Sequence, residues 1–232
     1  MLQKAFLVSM SLLLFFSCSD SVSDSNSNDA SSASYAKYNF GSYSEFGSDL
    51  DKAFRMLDSS RMAVSSEDDA DYYVLPEDQT GTEFLVENKY VSDLAASYIT
   101  EIEEILDKDY SELEEFLDEI SKVELKALEN LAGADLDNVM YFAESTKSTF
   151  VYFSEIDDSV DARRLKSWLK KKAKRIRRAA ISAGIGSLFG GMTGFATGGI
   201  PGAIGGAVSM GVASGVYGYK NNSISFKYSK RY

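Results

Sequence analysis

The sequence predicts a mainly α protein made of a small acidic helical bundle, a cationic amphipathic helix and a Gly-rich helical hairpin. Three observations predict it. Apolar residues recur at spacings of three and four through the middle of the chain. A block of basic residues follows with its apolar positions on one helical face. An uncharged stretch of 41 residues then carries 13 of the 17 glycines, and only two prolines interrupt 232 residues. The net charge of −11 hides a split: residues 1–160 sum to −24 and residues 161–232 to +13. Such asymmetry points to a basic segment with its own acidic or membrane partner.

Composition removes most chemistries. With no His, no imidazole base, triad or His-ligated metal can form. A single Cys excludes an internal disulfide and a Cys-based zinc cluster. The chain contains no GxxxxGK[ST], GxSxG or HExxH motif. No catalytic residue, metal or other cofactor is therefore expected, and the chain is not read as an enzyme; a carboxylate-only hydrolase is the enzymatic alternative. Its signature would be a carboxylate pair across a cleft. Pairs such as Glu103/Glu104 and Glu114/Glu115 occur among acids on every polar face, and read as solvated surface.

Residues 1–17 begin with Lys4 and continue through an apolar run of 12 residues, Ala5 to Phe16. That is too short to cross a hydrocarbon core of ~30 Å, and suits an export signal. Ser17 and then Cys18, the only cysteine, close it. The segment resembles a bacterial lipoprotein signal, although Phe15 and Phe16 stand where that family usually has Leu and a small residue. The resemblance implies cleavage before Cys18 and its lipidation, hence a bacterial cell-envelope location, at the outer membrane or cell surface. An ordinary signal peptide cut near Ser17 to Ser19 and an uncleaved anchor are the other readings. Residues 18–40 open on a Ser/Asp/Asn-rich run that reads as a flexible tether. Asp24, Asn26 and Asn28 have the spacing of a calcium loop but lack its Gly.

Residues 41–160 read as the acidic helical domain. Leu50, Phe54 and Leu57 open it at helical spacing. YYVLP (72–76) and EFLVENKYV (83–91) are open between short strands and extended connections. Ser92-Asp93 starts a helix with Leu94, Tyr98, Ile102, Ile105 and Leu106 on one face. Ser111 with Glu114 fits a capping box before Leu113, Phe116, Leu117, Ile120, Val123 and Leu128, and Gly133 is the expected end of that helix. A third helix starts at Asp135 with Leu136, Val139, Met140 and Ala143.

Residues 161–178 form the cationic helix, with Leu165, Trp168, Leu169, Ala173, Ile176 and Ala180 along its apolar face. Arg163, Arg164, Lys166, Lys170, Lys171, Lys174, Arg175, Arg177 and Arg178, with Trp168 at the boundary, are expected to bind an anionic lipid surface. Nucleic acid is the other partner of such a helix, and an exported chain is not expected to meet it. In 179–219, Gly186, Gly190, Gly194, Gly198, Gly202 and Gly206 occur every fourth residue, and Gly199, Ala203, Ala207, Gly211 and Gly215 make a second small row. Residues four apart share one helical ridge, so these glycines are candidate helix-packing positions. Pro201, in GGIPG, divides the segment into two arms that each nearly span a bilayer. Residues 220–232 are a basic aromatic tail whose Ile224, Phe226 and Tyr228 alternate like a short strand.

Residues 163–219 resemble the glycine-zipper segments of bacterial membrane proteins and the Gly-rich cationic stretches of class II bacteriocin-like peptides. The resemblance implies helix association within a membrane and, in its bacteriocin form, permeabilisation. The expected partners are membrane lipid, further copies of the chain through the zipper, and an envelope protein. An anchoring or assembly role without toxicity is the alternative. The acidic segment is expected to mask the basic one.

Overall fold

The computed structural model describes residues 46–53, 72–108, 110, 113–155 and 162–227, giving the backbone alone for 154–155 and 162–172. The signal 1–17, the tether 18–40 with Cys18, and Phe54, Leu57, Ser111 and Tyr228 lie outside them. The chain is mainly helical. In order come α1 (46–53), β1 (Tyr72–Val74), α2 (Gly81–Glu87), α3 (Asp93–Leu106), α4 (Leu113–Asn130), α5 (Gly133–Glu155), α6 (Ala162–Asn221) and β2 (Ser225–Lys227).

Local chemistry starts and stops these elements. Thr80 caps α2 in a complete capping box with Glu83, so the 83–91 stretch is helical at its start where strand or extended structure was expected. Ser92 caps α3 as the sequence indicates, accepting from the Ala95 N–H. Tyr98, Ile102, Ile105 and Leu106 are buried, whereas Leu94 is 52% exposed in the first turn of α3. On α4, Phe116, Ile120 and Val123 are fully buried. That helix ends at Asn130. Gly133, expected to end it, instead opens α5 at a positive φ of 61°.

β1 and β2 pair antiparallel, Tyr73 opposite Phe226, so the tail strand predicted near Phe226 closes the chain against its middle. Phe226 packs against Tyr73, Phe84 and Phe189. The centre is α5, whose residues 138–149 are buried on every side. One apolar cluster, with Ile99, Phe116, Phe142 and Ile185, lies on one side of it. A second, with Phe46, Met140, Tyr152 and Val216, lies on the other. Both draw on α6.

α6 is a hairpin. Gly199 has φ 63° and ψ −148°, a conformation essentially reserved for glycine. It separates a first arm, 162–198, from a second, 200–221. The break is two residues before Pro201, which sits in the first turn of the second arm where a missing N–H has no helical partner to lose. Asn222, at φ 50°, turns the chain out of α6 towards β2. The lower part of the hairpin was expected as a segment apart from the bundle. Instead 179–191 are buried throughout and lie in the same compact unit as α3 to α5.

The arms touch through backbone. A methyl group on Gly190 would meet the carbonyl of Gly206, and one on Gly194 the carbonyl of Gly202. Gly186 faces Ser214 and the Met210 carbonyl. Gly198 has open space around it. Gly190→Ala should therefore lower the melting temperature by separating the arms. Gly198→Ala should leave it unchanged or raise it, because Ala is favoured in a helix by about 1 kcal/mol. Thermal unfolding of the two variants by circular dichroism checks this contrast.

Candidate functional site

The hairpin has two environments. Its base is embedded. Ser187 on the first arm bonds to Ser145 of α5 and donates to the Ala207 carbonyl on the second arm at 2.8 Å. Ser182 donates to the Arg178 carbonyl at 2.7 Å and accepts from the Ser225 N–H at 2.9 Å, and Ser214 accepts from the Lys227 N–H. Gly184 lies against the Phe142 ring and Gly191 against Tyr141. The base is thus held by small residues and hydroxyls, which satisfy one another where a purely apolar face would leave gaps.

The tip is bare. Residues 195–201 are all exposed, none is charged, and Phe195 and Ile200 are 58% and 48% exposed. By length and composition α6 is apolar enough over Ala173–Asn221 to cross a membrane.

Of the glycines singled out by spacing, Gly186, Gly190, Gly194, Gly202 and Gly206 all lie on the seam between the two arms. Gly198 lies at the tip, outside it. Gly211 and Gly215 of the second row also face the first arm, at Ser187 and Ala183.

The basic helix differs from its expected free surface. Arg175 donates from Nε to the Tyr219 carbonyl and stacks over the Tyr219 ring at 4.3 Å. Arg177 pairs with Asp107, and Arg178 bonds the Asn222 carbonyl and lies 3.7 Å from Glu77. These three guanidinium groups therefore tie the hairpin base to its neighbours, because the apolar face beside them, Ile176 and Ala180, is in the core. Ala173, expected on that face, is exposed, as is Lys174. For Arg163, Arg164, Lys166, Trp168, Lys170 and Lys171 the backbone is helical, and their side chains lie outside the description.

Sequence reasoning missed two buried charge sites. Lys147 of α5, 3% exposed at its side chain, holds Glu124 of α4 at 2.6 Å and Glu144 at 2.7 Å. Two carboxylates share one ammonium there, and burial pushes Glu144 up to about 7 despite the attraction of Lys147. Glu103 is the second. It was read with Glu104 as solvated surface, yet it is 7% exposed. Burial raises it to about 7 against the opposing influence of the Thr82 hydroxyl, the Gly81 and Thr82 N–H groups and Arg177. The signal was available: Glu103 follows Ile99 by four positions and precedes Leu106 by three, on the buried face of α3. Lys147 sits in the polar run Ser145 to Thr149, where no apolar periodicity marks burial.

Among the described residues, no group of His, Cys, Asp and Glu side chains is arranged to hold a metal ion. No protein-family model, curated protein or solved structure matches the chain, so the site is read from its own chemistry.

Glu103 and Glu144 bind protons near pH 7 when folded, but near the ordinary carboxylate value of 4.5 when unfolded. The folded chain holds more protons across that window, so stability falls as pH rises from 4.5 to above 7. The melting temperature should be several degrees higher at pH 5.5 than at pH 8. Lys147→Met should cost about 3–5 kcal/mol at neutral pH, because it leaves two buried carboxylates facing each other. The loss should shrink at pH 5, where protonation of Glu144 relieves the repulsion. Urea unfolding at both pH values measures these differences.

Proposed function

We propose that this chain is an exported cell-envelope lipoprotein, anchored through Cys18, whose C-terminal Gly-rich hairpin associates with a membrane through its tip. The observation that supports it is the uncharged tip 195–201, with Phe195 and Ile200 held out of the core at the end of two packed helical arms. Each is only about half exposed to begin with, so burying both in a bilayer contributes on the order of 1.5–3 kcal/mol.

Distance separates this reading from full insertion. Arg178 lies roughly 30 Å along the first arm from Gly199 at ~1.5 Å per residue. The tip alone can enter a leaflet while the base stays in the bundle. For the basic helix to meet the same surface, the hairpin must lie along or across the membrane, and 179–191 must leave the core. A bacteriocin-like, permeabilising action therefore requires unpacking of the base. The non-toxic anchoring or assembly role requires none, and the buried base favours it as the resting behaviour. The intramolecular seam also occupies the Gly ridge, so self-association through that ridge would require the arms to part.

Flotation of the purified full-length chain with anionic and neutral vesicles tests the proposal. The variant Phe195→Asp/Ile200→Asp should bind roughly tenfold or more weakly to both, with unchanged far-UV circular dichroism. Equal flotation of the variant and the parent would overturn tip association. Dye release by the parent would move the reading from anchoring to permeabilisation.

A further inference from the structure

The tip of the hairpin is a small surface. Residues 195–201 are exposed around the turn at Gly199, and only Phe195 and Ile200 among them carry large apolar side chains. A stable protein–protein interface takes roughly 20–30 residues from each side. The tip falls well short of that, so neither a second copy of the chain nor a folded partner fits it. A lipid surface sets no such minimum, because it deforms around what enters it.

Charge does not select that surface. Between Arg178 and Lys220 the chain carries none. Along the arms these two groups stand roughly 26 Å from Phe195 and 30 Å from Ile200, at ~1.5 Å per residue. With a screening length of ~8 Å at physiological salt, their pull on a head group at the tip falls to roughly a few per cent. The charges nearer the tip are mainly acidic. Tyr141 of α5 meets Gly191, and Ser145 meets Ser187. The start of α5, with Asp135 and Asp137, therefore points towards the tip. Asp135 accepts from the Ser92 N–H, which brings Asp93 to the same end. Lys89, in the preceding turn, offsets part of that charge. An anionic membrane thus gains no attraction at this end of the molecule.

The backbone limits depth. The break at Gly199 leaves carbonyls at the end of the first arm and N–H groups at the start of the second without helical partners. The Thr193 and Thr197 hydroxyls donate one turn lower, to the Phe189 and Gly194 carbonyls. Hydrocarbon offers such groups nothing, whereas the interfacial layer supplies water and head-group oxygens. The tip therefore stops at the boundary between head groups and acyl chains. A shallow, uncharged site with two large side chains draws its binding from acyl surface already open to water. Curvature and unsaturation expose that surface by loosening lipid packing, and interfacial elements that depend on apolar area are curvature-sensitive for this reason.

We propose that the tip 195–201 recognises lipid-packing defects, the acyl surface exposed on curved or loosely packed membranes, and not the charge of lipid head groups. This rests on the tip association proposed above and names the membrane property that governs it.

Flotation of the full-length chain with dioleoylphosphatidylcholine vesicles tests it. Small sonicated and large extruded vesicles are compared at equal total lipid, with and without phosphatidylglycerol, at low and high salt. The difference between the parent and Phe195→Asp/Ile200→Asp isolates the share of binding due to the tip from any held by the N-terminal segment. That share should be roughly tenfold higher on small than on large vesicles, and unchanged by phosphatidylglycerol or salt. Gly198→Leu adds an apolar side chain where the structure has open space, and should raise binding to large vesicles more than to small ones. A tip-dependent share equal on both vesicle sizes, or one that rises with phosphatidylglycerol and falls with salt, would overturn defect recognition while leaving tip association intact. Parent and tip variant floating alike on every vesicle would instead overturn tip association itself.

Discussion

The close approach of two helix backbones at Gly190/Gly206 and Gly194/Gly202 is the constraint on which the rest of the structure depends. Glycine is a poor helix former in water, by about 1 kcal/mol per position relative to Ala. Here the loss is offset because the two arms pack with no side chain between them, which removes more surface from water than wider spacing would. The turn at Gly199 then directs the second arm back along the first, and the antiparallel register carries Ser214 to the level of Gly186 and Gly218 to that of Ser182. β2 follows from that return, because Asn222 releases the chain beside Ser182, where its strand finds β1.

A thin hairpin of small residues cannot fill a core alone. The structure supplies bulk from elsewhere: Phe142 and Tyr141 of α5 against Gly184 and Gly191, and Ile102, Phe84 and Phe226 around Ile181 to Phe189. Where α5 turns polar, hydroxyls replace bulk, as at Ser145 and Ser187. Lys147 is the extreme case, a cation inside the bundle made tolerable by two carboxylates. The consequence is an uneven molecule, with a base joined to its surroundings by specific polar bonds and a tip that, among the described residues, meets its own partner arm. Function is proposed at the tip for that reason, where apolar surface is left in water.

Much of this architecture was legible in the residues. The fourfold spacing of Gly186 to Gly206 announced a helical packing face. The stripes Phe116-Ile120-Val123 and Tyr98-Ile102-Ile105 marked buried faces, and the alternation around Phe226 marked a strand. Each of these is a local pattern set by the period of an element. Two boundary expectations failed because local signals point both ways. Gly133 reads as a helix end from one side and as a helix start from the other. Pro201 marked the hairpin turn only to within two residues, since proline is tolerated in the first turn of a helix and the left-handed residue it follows must be glycine.

What the sequence determined by itself was the helical class, the charge division at about residue 160, the glycine ridge, and the exclusion of imidazole chemistry and of an internal disulfide. Only the tertiary structure decided who packs against whom. A glycine ridge has the same spacing whether it meets another chain or its own return arm, and the turn at Gly199 chose the latter. Arg175, Arg177 and Arg178 look like a solvent-facing basic stripe in sequence, but their places beside Ile176 and Ala180 bring them down to the end of α6, Asp107 and Glu77. Burial of Lys147 is a property of distant surfaces meeting, α5 on α4, and no local period encodes such a meeting.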